Sequence, residues 1–186
     1  MKPREILRAV ESLQAADVPS AAVASAVHRA LRATRTGRLL RGAWLGHPLH
    51  PLIVTVPLGA WISSAVFDLG SRNEDAARKL VAIGLAFTPP AILVGLADYA
   101  ELDERQRRVG AVHAVANTLA AAVFTASYRA RWKGSHRKGA LLGVAGLAMV
   151  GAGGALGGHL SYAQGAGVRR WPEATDTGPK MVGEGR

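Results

Sequence analysis

Four stretches of the chain, 52–67, 80–97, 109–128 and 139–168, contain no Asp, Glu, Lys or Arg. Runs of this kind suit the hydrocarbon of a bilayer, where a helix needs about 20 apolar residues, so the pattern predicts four membrane-spanning helices at about 51–68, 80–98, 109–129 and 139–160. Pro89 and Pro90 fall near the middle of the second, where two missing N–H groups predict a kink or a break. The fourth run is too long for one helix. Its last part, from about Ser161, is expected to form a glycine-rich re-entrant or surface loop.

Ahead of the spans the pattern changes. Ile6, Leu7, Val10 and Leu13 recur at helical spacing with Arg4, Glu5, Arg8 and Glu11 between them, which predicts an amphipathic helix too polar to cross a membrane. Val18-Pro19-Ser20 punctuates, Ser20 reads as a cap, and a second helix follows to about Arg35 with Val23, Val27 and Leu31 on one side. Arg29, Arg32, Arg35, Arg38 and Arg41 form a basic collar before the first span, and His28 reads as a surface residue. After Val168 the tail has proline, glycine and charge without periodicity, the signature of disorder. The expected architecture is all-α: an integral membrane four-helix bundle over 44–168, an amphipathic N-terminal helical arm over 1–43, and a disordered tail over 169–186.

Composition narrows the chemistry. There is no cysteine, which excludes disulfides, thiolate-ligated zinc, Cys-ligated iron–sulfur clusters and a cysteine nucleophile within this chain. A metal or haem would have to use histidine, carboxylate or methionine. Lys and Arg outnumber Asp and Glu by 23 to 13, and the excess sits in the arm, loops and tail, which suits anionic lipid head groups better than nucleic acid. Basic residues are more numerous on the side of the arm, the 101–108 loop and the tail, so both termini are expected in the cytoplasm. The first apolar run begins about 50 residues in without a small-residue cleavage pattern, unlike a removable signal. No phosphate loop, serine elbow or His-Glu-x-x-His is present, so hydrolase or nucleotide chemistry has no motif. Trp44, Trp132 and Trp171 read as interfacial anchors, and Trp61 as either an anchor or an interior residue.

In an antiparallel four-span order, the start of the first span, the end of the second, the start of the third and the end of the fourth share one side. Those places hold His47 and His50, Asp98 and Tyr99, His113 with Asn117, and His159. His47 and His50 are three apart, which on a helix puts them on roughly one face at a loop-to-helix junction. Ionisable residues in spans are costly and usually face the bundle interior, so this clustering points to a shared site, with Asp68 left alone on the opposite side. Two of His47, His50, His113 and His159 suit haem b, and small residues such as Gly153, Gly154, Gly157 and Gly158 would let helices approach or make room for a flat ring. A non-haem Fe, Zn, Cu or Mn would draw on His47, His50, Asp98, His113 and His159. Asn117 and Tyr99 would support either group from behind. A quinone or proton site, or histidines that only satisfy backbone with no cofactor, are the alternatives.

The segments Gly46-His47-Pro48-Leu49-His50-Pro51, Val56-Pro57-Leu58-Gly59-Ala60-Trp61 with Asp68, Gly95-Leu96-Ala97-Asp98, His113 with Asn117, and Gly157-Gly158-His159-Leu160 with Gly165-Ala166-Gly167-Val168 resemble the bacterial membrane family called domain of unknown function 2231. The resemblance covers about Trp44 to Val168. It implies four spans in a bacterial inner membrane, and, because some members are fused to a Rieske-type iron–sulfur domain, electron transfer by association. Here a redox partner would be a separate protein or membrane complex. The expectation is a small redox subunit in a homo- or hetero-oligomer, with no nucleic-acid partner, more an accessory than a stand-alone enzyme. A structural or assembly subunit without cofactor is the alternative, and a transporter or proton pathway the third.

Overall fold

The computed structural model describes residues 2–69 and 73–168, and among these there are helices and turns but no strand. The tail from Arg169, with Trp171, lies outside the described residues. Among the described residues four helices are long and apolar enough to cross a membrane: Leu49–Leu69, Glu74–Tyr99, Glu104–Trp132 and His136–Ala163. The first divides at Val54 into α4 (Leu49–Ile53) and α5 (Thr55–Leu69); α6 (Glu74–Tyr99), α7 (Glu104–Trp132) and α8 (His136–Gly158) follow. α5 packs on α6, α6 on α7, α7 on α8 and α8 back on α5, which closes a four-membered ring. The termini of α6 and α7 follow from local chemistry. Asn73 caps α6 through Ala76 N–H, and Asp103 with Gln106 forms a capping box on α7.

Two sequence expectations are narrowed here. α6 runs through Pro89 and Pro90 without a break, and Thr88 Oγ1 turns back to the carbonyl of Gly84 within the same stretch. Neighbouring helices support a proline-containing span in ways that an isolated helix lacks. The fourth span does not dissolve into a loop at Ser161 either. It continues as a π-helical turn, His159–Ala163, and the glycine-bearing loop begins after it, with Gly165 and Gly167 both at positive φ.

The bundle is held by side chains let into glycine notches. Trp61 is buried, stacks on Phe124 with ring centroids 3.9 Å apart, and its Nε1 donates to the Val81 carbonyl. A Cβ on Gly84 would overlap that indole, and one on Gly146 would lie 2.7 Å from Phe124. The outward faces carry Leu52, Ile62, Val66, Leu141 and Val144, exposed in the isolated chain as lipid-facing residues are.

The arm consists of α1 (Pro3–Glu11), a 3₁₀ turn (Gln14–Ala16), α2 (Asp17–Thr34) and the short α3 (Gly37–Leu40). It lies against the ends of α6 and α7, with Val10 packed on the buried cluster of Leu102, Val109 and Leu160. α2 already begins at Asp17, so Ser20 does not cap it. Ser20 is buried in the first turn and donates to the Asp17 carbonyl.

Candidate functional site

Gly42, at positive φ, makes the turn that brings the chain to its first histidines; a Cβ there would overlap the carbonyl oxygen of His47. Pro48 is the N-cap of α4, so His47 precedes the helix and is exposed, whereas His50 lies in its first turn. The two do not share a helix face, because His47 lies in the bend ahead of Pro48 and only His50 is helical. His50 turns toward α6, and its Nδ1 lies 3.0 Å from the Ala91 carbonyl oxygen. Gly95, one turn further on, leaves the room: a Cβ there would lie 2.9 Å from the ring.

His113 repeats the arrangement between α7 and α8. Its Nδ1 lies 2.7 Å from the Gly153 carbonyl oxygen, and a Cβ on Gly157 would lie 3.1 Å from its Cε1. The two imidazoles meet with centroids 6.2 Å apart and planes at 76°. A carbonyl only accepts, so in each neutral ring Nδ1 carries the hydrogen and Nε2 the lone pair. Asn117 donates to the His113 backbone carbonyl at 2.8 Å, and its amide nitrogen lies 3.4 Å from both ring nitrogens.

The remaining histidine is engaged elsewhere. His159, at the head of the π turn, brings Nε2 to 2.6 Å from Glu11 Oε1 in the arm, where Gln164 also donates at 2.9 Å. Arg105 takes the other oxygen of Glu11 at 2.6 Å. Hydrogen bonds from Arg105, then His159, hold the Glu11 carboxyl down at about 2 against the opposing effect of burial. Asp98 is half-buried in the last turn of α6, and Tyr99 beside it donates to the Arg107 carbonyl. Among the described residues no three His, Asp or Glu side chains are grouped so as to hold a metal ion. Of the histidines expected to converge, the structure brings His50 and His113 together.

The family described as "Predicted membrane protein (DUF2231)" matches residues 46–170. The chain belongs to this family. No curated protein and no solved structure matches it. His50, His113, Asn117 and His159 all lie in the matched region, while Glu11 lies in the arm outside it. The link from Glu11 to His159 therefore joins the matched region to a segment outside the match.

At the other end of the bundle Asp68 is not alone. Arg131 donates to both of its oxygens, at 2.7 and 2.6 Å, and the guanidinium side chain is only 1% exposed. Ser127, also buried, donates to the Gly139 carbonyl, and Gly139 and Gly143 clear space for the arginine. Sequence order hid this pair, since Arg131 reads as one more base in a basic loop. The available signal was the two glycines four apart opposite it. His136, at the start of α8, also belongs to this end, with Nε2 2.9 Å from Glu74.

Proposed function

We propose that the chain is a small membrane redox subunit whose redox-active group is held by His50 and His113. The observation that carries this reading is the pair itself: two imidazoles from different spans, 6.2 Å apart, each with Nδ1 spent on a backbone carbonyl so that Nε2 carries the electron pair, met at His113 only by a long 3.4 Å approach of the Asn117 amide. Metal-ligating histidines are commonly oriented through such a bond on the other nitrogen. His50 and His113 would each offer Nε2 to such a group, one from the first span and one from the third. A bare ion needs further protein ligands, whereas haem brings four nitrogens of its own, so the donor set suits haem b. The fit is of the nitrogens, not of a ready slot, because the imidazoles themselves fill the notches at Gly95 and Gly157.

Bound haem would supply a one-electron couple. The chain's part is to fix both ring tautomers, to hold His113 against the Asn117 amide, and to keep the pair within apolar helices. Electrons would pass to a separate redox protein, and the basic arm and collar would face the cytoplasm of a bacterial cell. The filled notches favour a second reading, a structural or assembly subunit whose histidines only lock helices together.

The protein purified from its native membrane in mild detergent distinguishes the two by absorption spectra, oxidised and dithionite-reduced, with metal analysis of the same sample. A Soret band and sharp reduced bands are expected, lost in H50A and H113A but retained in H159A. Folded protein with neither haem nor stoichiometric metal would end the redox reading and leave the structural one.

A further inference from the structure

α2 crosses the bundle where α6 hands over to α7, and a groove of about 380 Å³ runs between them. Ala24, Ser25, His28, Arg29 and Arg32 line it from α2, and Arg107 from the first turns of α7. No acid lines it. Glu101, nearby, is drawn to Arg41 at 2.8 Å, with His28 3.7 Å away. Arg29 and Arg32 are exposed, and among the described residues neither forms an ion pair. Three acids of this end are committed to other cations, Glu11 to Arg105 and Asp17 and Glu104 to Arg108.

Arg107 adds an unmet demand. Its Nη1 donates to the Leu102 carbonyl at 2.6 Å, but its Nε is buried with no hydrogen-bond partner. A buried donor on a cation is costly to leave unsatisfied, and guanidinium groups match the geometry of phosphate oxygens. The groove sits at the ends of two spans, the level of lipid head groups.

We propose that this groove binds an anionic phosphate group through Arg29, Arg32 and Arg107. The phosphate belongs either to the head group of an anionic phospholipid or to a free phosphate, and the test separates these sources. Full-length protein in neutral detergent is exposed to phosphatidylglycerol, to phosphatidylcholine and to inorganic phosphate. Bound lipid is read by native mass spectrometry and phosphate by thermal shift.

Phosphatidylglycerol is expected to bind at least about tenfold better than phosphatidylcholine. That preference should fall about tenfold in R29Q/R32Q and in R107Q, and stay unchanged in R35Q/R38Q, which removes the same charge outside the groove. Phosphate protection without lipid preference, lost in the same variants, would assign the free anion. The proposal is overturned if neither probe binds, or if R35Q/R38Q weakens binding as much as R29Q/R32Q. Binding undiminished in a folded R29Q/R32Q protein overturns it as well. The exposed pair keeps the test decisive should R107Q fail to fold.

Discussion

At one end of the bundle Asp68 accepts from a single guanidinium through both carboxylate oxygens; at the other, His50 and His113 each give Nδ1 to a carbonyl and keep the Nε2 electron pair, which at His113 meets only a long 3.4 Å approach of the Asn117 amide. The difference follows from charge. A buried ion must be saturated because its desolvation is repaid only by near-ideal geometry, while a neutral imidazole is buried at modest cost with one bond made. The Asp68–Arg131 pair has spent its bonding capacity and acts as a clamp between α5 and α7. The imidazole pair retains capacity, and that is where chemistry can be added.

The largest test of this contrast is D68A, which leaves Arg131 buried without a counter-charge. It should cost about 3–5 kcal/mol, against about 1 kcal/mol for the hydrogen bond lost in H50A, both read by unfolding in one detergent. Equal losses would break the comparison, since both ends would then be clamps. A middle-sized effect sharpens the role of the notches between the two ends. G84A should overpack against Trp61 and cost about 1–3 kcal/mol, whereas G59A, with nothing within 4 Å of its Cβ, should fold like the parent. Matching melting temperatures for these two would remove the notches from the account.

The smallest effect concerns the arm, which is tied to the histidine end through Glu11. Its carboxyl is held at about 2 rather than 4.5, so the docked arm gains stability that is fully present above about 4.5. That contribution is lost as pH falls through the folded value. Hydrogen exchange over residues 3–17 should stay slow near neutrality and quicken, after correction for intrinsic rates, between about pH 4.5 and 2. In E11Q this dependence should flatten, and an unchanged profile would detach Glu11 from arm docking.

Much of this molecule is legible along the chain. Uncharged runs and their flanking bases are sums over neighbours in sequence, so four spans and an amphipathic arm follow from the residues alone, as does the placement of His50 and His113 on one side. Those properties depend on composition within a window, and the bilayer tests nothing finer. Which side chains meet depends on contacts across helices, and only tertiary structure decides them. Arg131, in the last turn of α7, reaches Asp68, 63 positions away, because an interior notch opens at Gly139 and Gly143. His159 goes to Glu11, 148 positions away, because the arm folds back over the bundle end, a placement no periodicity encodes. Four histidines were legible as one side of a membrane, and packing made two of them a pair.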